Sequence, residues 1–158
     1  MDKEIRNKYL FWIIFTEAVG ALSGWLTRDG VNFFNAFITK PPLSPPAVVF
    51  PVTWAILYLL MGIGAARIDI KRIPKSHSRA LWLYLLQLAF NFLWSIVFFN
   101  VRAYLFAFLW LAVLWLIILA MILEFRKIDS RAAWMQVPYL FWVLFAGYLN
   151  LGVWVLNK

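Results

Sequence analysis

Five stretches of this chain are long, apolar and almost free of charge, and nothing else in the sequence restricts the fold as strongly. They run over residues 9–26, 47–66, 80–99, 103–123 and 132–156. The last four hold no Asp, Glu, Lys or Arg, and the first holds only Glu17. A helix rising about 1.5 Å per residue needs about 20 apolar residues to cross a hydrocarbon layer of about 30 Å. Barrel strands are about ten residues long and alternate apolar with polar, which these runs do not. The expected fold is an all-α membrane protein, a bundle of five transmembrane helices forming one domain over 1–158. Composition agrees: 65% of residues are hydrophobic and 14% charged, against roughly half and a quarter in soluble domains. A water-soluble body this small lacks the interior to hide so much apolar surface.

The charges lie between the runs. Lys3, Arg6 and Lys8 precede the first; Arg67, Lys71, Arg72, Lys75 and Arg79 follow the second; Arg126, Lys127 and Arg131 follow the fourth. These eleven share one side of a five-span topology, and only Arg28, Lys40, Arg102 and Lys158 fall on the other. The positive-inside rule then places the N-terminus in the cytoplasm. The net charge of +8 forms no stripe on a soluble face, so nucleic acid is not an expected partner. The charged start and first apolar run look like a signal peptide, but Trp25, Leu26, Thr27 and Arg28 offer no small-residue cleavage site. The run reads as a retained helix.

The connections are unequal. Around Arg102 only a few residues join spans three and four, which makes them antiparallel neighbours. The segment from Thr27 to Pro46 is far longer, and loops of that length are usually functional or disordered. It carries Phe33, Phe34, Phe37 and Ile38, then Pro41, Pro42, Pro45 and Pro46. With aromatics to bury and prolines that fix φ, it is expected to fold as a lid. No fixed-period repeat supports a solenoid or an inverted-repeat transporter.

Polar groups inside a membrane mark the bundle interior. Gln87, Asn91 and Ser95 recur at helical spacing, with Trp94 beside them. Phe50, Trp54, Tyr58 and Met61 do so in span two, and Tyr139, Trp142, Ala146 and Asn150 in span five. Span four, with Trp110 and Trp115, reads as scaffold. Two readings stay open: interhelical hydrogen-bond glue, or a cavity whose aromatic planes stack on a flat ligand while a few polar groups orient it. Among the ten tryptophans, Trp12, Trp25, Trp82, Trp134 and Trp154 lie near span ends and read as interfacial anchors. Trp54, Trp94 and Trp142 lie deeper. Glu17 is either functional or simply neutral and hydrogen-bonded. Gly20 and Gly24, with Ala21 and Ser23, allow close helix contact, within one bundle or between copies in a homodimer.

Familiar enzyme constellations are missing. There is no cysteine, hence no disulfide or thiolate chemistry, and the single histidine, His77, is expected to be exposed on the basic side. No phosphate-binding glycine loop, Ser–His–Asp set or metal-ligand cluster occurs, so no metal or required cofactor is expected.

Several runs carry a resemblance. Lys40-Pro41-Pro42-Leu43-Ser44-Pro45-Pro46, then Phe50-Pro51 and Trp54-x-x-Leu57-Tyr58-x-x-Met61-Gly62, are joined by Asn91-x-x-Trp94-x-x-x-Phe98-Phe99-x-x-Arg102 and by Pro138-Tyr139-x-x-Trp142 with Leu149-Asn150-x-x-Val153-Trp154. In this order they resemble the translocator protein family, also called tryptophan-rich sensory proteins or peripheral-type benzodiazepine receptors, and the resemblance spans nearly the whole chain. It implies a five-helix bundle with a pocket beneath the first loop. It also implies a ligand set: porphyrins such as protoporphyrin IX, sterols in some members, and isoquinoline carboxamide or benzodiazepine drugs. Light-dependent degradation of protoporphyrin IX at pocket tryptophans is implied as well. Those tryptophans match Trp54 and Trp142, the residues to which any photochemical role is assigned, and Asn91 and Ala146 match pocket positions. The chain departs at Leu43 and Val48, where many members are aromatic. It also lacks a basic residue soon after Tyr148, which breaks the sterol-recognition pattern.

The expected site is therefore a ligand pocket of Phe50, Trp54, Tyr58, Gln87, Asn91, Trp94, Tyr139, Trp142, Ala146 and Asn150. A tetrapyrrole would lie between Trp54 and Trp142, with Arg28 and Lys40 at the mouth to meet propionates. The expected location is a bacterial plasma membrane. A transporter of porphyrin or sterol-like molecules, or a stress sensor working through a protein partner, are the alternatives.

Overall fold

The computed structural model describes residues 2–71 and 76–158. Arg72 and Lys75, two of the basic residues counted above, lie outside the described residues. The elements are α1 (Lys3–Phe37), α2 (Val49–Lys71), α3 (Ser76–Ser95) with a π-helical extension (Ile96–Val101), α4 (Tyr104–Ile128), α5 (Ser130–Met135) and α6 (Val137–Leu156). Among the described residues, five helical rods are long and apolar enough to cross a membrane, α3 with its extension and α5 with α6 each counting as one. The chain is a five-helix membrane bundle.

The first helix corrects the expected lid. α1 does not stop at Leu26 but continues to Phe37, so eleven residues of the supposed loop are helical. At 35 residues it is about 52 Å long and outruns the hydrocarbon. Hydropathy falls at Arg28 and Asp29, yet neither breaks a helix, and the extension has something to pack on. Phe34 meets Phe98 and Phe99 at ring distances of 5.4 and 5.6 Å, and the Arg102 guanidinium lies 3.5 Å over the Phe33 ring. The helix ends where Ile38 turns extended, shortly before Pro41 and Pro42 remove backbone donors.

What remains of the loop is pinned to the end of α6. Asn157 Oδ1 accepts from the Thr39 amide at 3.0 Å and its Nδ2 donates to the Thr39 carbonyl at 2.9 Å. Tyr148 donates its hydroxyl to the Pro42 carbonyl at 2.8 Å. Pro41 lies where a β-carbon on Gly152 would fall, so only glycine lets the loop come this close.

The opposite end, rich in basic residues, is closed by ion pairs. Asp129 caps α5 through the Arg131 amide at 2.9 Å and faces Arg67 at 2.7 Å and Lys71 at 3.4 Å. Burial pushes its carboxyl up, but the Arg131 amide and the two cations outweigh that and hold it below the usual carboxylate range. Asp69 faces Lys8 at 3.7 Å and His77 at 3.3 Å and accepts from the Trp12 indole at 3.2 Å. Two expectations fail here: His77 is half-buried rather than exposed, and Trp12 is buried rather than an interfacial anchor. An indole near a span end turns inward when a carboxylate waits there. Trp25, Trp82 and Trp134 are exposed, as anchors are.

Candidate functional site

Above the middle of the bundle the helices part around a cavity of about 620 Å³, within the range of small-molecule sites. α1 gives its near wall through a stripe at helical spacing, Glu17, Gly20, Gly24, Arg28, Val31 and Asn35. α2 contributes Phe50, Trp54 and Tyr58, α3 contributes Trp94 and Ser95, and the π-helical turn adds Phe98 and Phe99. α6 brings Ala146, Leu149, Asn150 and Val153, and the loop covers the top with Lys40, Pro41, Ser44 and Ala47. α4 lines none of it.

Gly20 and Gly24 of α1 do different jobs within the bundle. A β-carbon on Gly20 would sit 2.5 Å from the Tyr58 ring, so that glycine admits Tyr58 to the floor. At Gly24 a β-carbon would meet nothing within 4 Å. That position simply leaves room.

The aromatic wall is fixed by polar contacts behind it. Trp94 donates its indole N–H to Asn150 Oδ1 at 3.2 Å, and Asn150 Nδ2 donates to the Tyr104 carbonyl at 2.7 Å. Trp94 stacks on Phe98 at 5.3 Å, and Trp54 lies 6.5 Å from Trp94 and 5.6 Å from Tyr58, tilted by 37° and 31°. Such offsets are those aromatic rings prefer. Together they make one broad, nearly continuous π surface. Tyr58 is held by Asn91, whose Nδ2 donates to the hydroxyl at 3.3 Å.

Of the expected ligand-binding residues, Phe50, Trp54, Tyr58, Trp94, Ala146 and Asn150 come together on this cavity, with Arg28 and Lys40 also on its lining. Gln87, Asn91, Tyr139 and Trp142 do not line it. Gln87, Asn91 and Tyr139 are buried beneath, where Gln87 Nε2 reaches the Met61 sulfur at 3.7 Å. Trp142 touches Trp54 edge-on, with centroids 6.5 Å apart and planes at 89°. It borders a separate outer groove with Thr53, Leu60, Pro138, Phe141 and Phe145. A macrocycle therefore does not fit between the two indoles, because they already touch. The reason is depth. At about 100° per residue, Trp142 lies only about 40° round α6 from Ala146 but a full turn lower, where the helices have converged.

Sequence reasoning passed over Phe98, Phe99, Leu149 and Val153 as lining residues. The last two are ordinary apolar residues in an apolar run and carry no signal. Phe98 and Phe99 both face α1 because the wider π turn, common at functional sites, presents neighbouring residues together.

The charges on the cavity are few. Arg28 and Lys40 sit at the upper end, Lys40 donating to Asn35 Oδ1 at 2.8 Å and Arg28 lying 5.1 Å from the Trp25 ring. Glu17 lies at the lower end. The arrangement can hold a flat apolar body against indoles while its polar edge meets cations at the mouth.

The TspO/MBR family profile matches residues 12–155. The chain belongs to the TspO/MBR family. Among its relatives is a tryptophan-rich sensory protein of Cereibacter sphaeroides, 38% identical over 151 residues, covering 94% of this chain and 92% of the relative. Protein CrtK of Rhodobacter capsulatus is 38% identical over 121 residues, 76% of each chain. The translocator protein of Ovis aries is 34% identical over 136 residues, covering 85% of this chain and 80% of the relative. This family member is an integral membrane protein, and its bacterial relatives accord with a place in the plasma membrane.

Proposed function

We propose that this protein binds protoporphyrin IX and similar flat, amphipathic tetrapyrroles in the upper cavity. The observation that carries this reading is the π surface of Trp54, Tyr58, Trp94 and Phe98 in a 620 Å³ hollow whose cations, Arg28 and Lys40, lie at one end. Stacking on the indoles stabilises the macrocycle, and the mouth cations meet its propionates by charge-assisted hydrogen bonds. Isoquinoline carboxamide and benzodiazepine-type drugs, flat and apolar, compete for the same surface. Light-dependent degradation of the porphyrin is an attached activity in this reading. Trp54 is the indole at the ligand, and Trp142 is its neighbour in edge contact rather than a second jaw.

A titration tests the binding: protoporphyrin IX quenches tryptophan fluorescence, and Trp54→Phe weakens binding severalfold while Trp142→Phe changes it little. Equal affinities in wild type and Trp54→Phe would remove the pocket. Bleaching of bound porphyrin under light, compared with porphyrin in empty vesicles, tests the photochemistry separately. Equal rates leave a passive binder. Transport across the bilayer is less well supported, because fully buried Met61, Tyr84, Gln87 and Tyr139 fill the bundle below Tyr58.

A further inference from the structure

Among the described residues, Glu17 is the one acidic residue on the cavity, and it is not used by the reading above. It lies one turn below Gly20 on the α1 stripe, at the lower end of the lining. Among the described residues, no cation lies within 4 Å of it and no donor hydrogen-bonds to it; the acids that do have cations nearby are Asp29, Asp69, Glu124 and Asp129. The cavity's own cations, Arg28 and Lys40, belong to its other end, and eleven residues of helix set Glu17 about 16 Å below Arg28. A carboxylate inside a membrane is costly unless paired, and the bundle builds pairs readily elsewhere. Two turns above Glu17, Gly24 adds no side chain and a β-carbon there would meet nothing within 4 Å, so the hollow above the carboxylate stays open, while the Gly20 position is taken by the Tyr58 ring.

We propose that Glu17 is a specificity group of the cavity, selecting ligands that present a protonated amine to its lower end. The preferred ligand class is then a flat aromatic cation, or an amphoteric molecule with its amine toward Glu17 and its carboxylate toward Arg28 and Lys40. This rests on the cavity being a site for flat ligands, but it does not require that a porphyrin be one of them. For a ligand carrying only carboxylates, Glu17 is a source of repulsion.

The test uses the full chain in phosphatidylcholine nanodiscs and two planar probes: 9-aminoacridine, a cation at neutral pH, and acridine, its neutral counterpart. Wild type is expected to bind 9-aminoacridine at least tenfold more tightly than acridine. Glu17→Gln, which keeps the shape, is expected to bring the two within about twofold of each other while raising protoporphyrin IX affinity, as removal of a repelling carboxylate should. Glu17→Asp retains the charge and is expected to keep most of the preference, which separates charge from any effect on folding. The proposal is overturned if wild type shows no preference, or if the preference survives in Glu17→Gln. Absence of protoporphyrin IX binding to wild type would remove the porphyrin reading alone; a Glu17-dependent preference for the cation would stand.

Discussion

Filling the cavity from Gly24 should strengthen the fold and abolish the site, whereas the same change one turn away at Gly20 should damage both. A β-carbon at Gly24 meets no atom within 4 Å, so the phenyl ring of Gly24→Phe enters open space. It occupies roughly 130 Å³ at protein packing density, about a fifth of the 620 Å³ available. Replacing a helical glycine gains roughly 0.5 kcal/mol from propensity, and new ring contacts add to it. Gly20→Phe instead drives its β-carbon to 2.5 Å from the Tyr58 ring, an overpacking that costs about 1–3 kcal/mol or more. Thermal unfolding in nanodiscs should therefore move up slightly for Gly24→Phe and down by several degrees for Gly20→Phe. Protoporphyrin IX affinity should fall at least tenfold in Gly24→Phe despite its stability. A destabilised Gly24→Phe, or one that binds as wild type does, would refute the cavity geometry.

Three further outcomes are expected. Asn150→Leu leaves the buried Trp94 indole N–H without its acceptor, costing about 1–3 kcal/mol of stability, read by thermal unfolding, and shifting Trp94 fluorescence. Asp129→Asn removes the partner of Arg67 and Lys71 and should cost about 2 kcal/mol, discounted because both cations keep contact with water. The Asp129 carboxyl is held below its ordinary value, so its contribution is complete above that value and is lost as pH falls through the lowered one; the pH dependence of unfolding in acid should flatten in Asp129→Asn. Because the chain has no cysteine, Lys3→Cys and Lys158→Cys report orientation directly: a membrane-impermeant maleimide added outside intact cells should label only Lys158→Cys.

Fold class was legible because hydropathy over 20 residues reports the solvent a segment needs, and four spans contain no charge at all. The end of α1 was not, because hydropathy says where lipid stops and not where helix stops; Arg28 and Asp29 are polar but helix-compatible, and the true signal was Pro41. Helical spacing placed Trp54, Tyr58, Trp94, Ala146 and Asn150 on faces that do line one cavity. It could not assign depth, so Asn91, Tyr139 and Trp142, on correct faces but a turn or two lower, were grouped with them. Small residues were visible at Gly20 and Gly24, yet only coordinates distinguish a glycine that admits a ring from one that leaves a void.

A structure of the protein with protoporphyrin IX bound tests the central claim most directly. The account predicts a macrocycle in the upper cavity, lying on Trp54 and Trp94 with its propionates toward Arg28 and Lys40. Density in the outer groove along Phe141, Trp142 and Phe145, with the upper cavity empty of porphyrin, would contradict it.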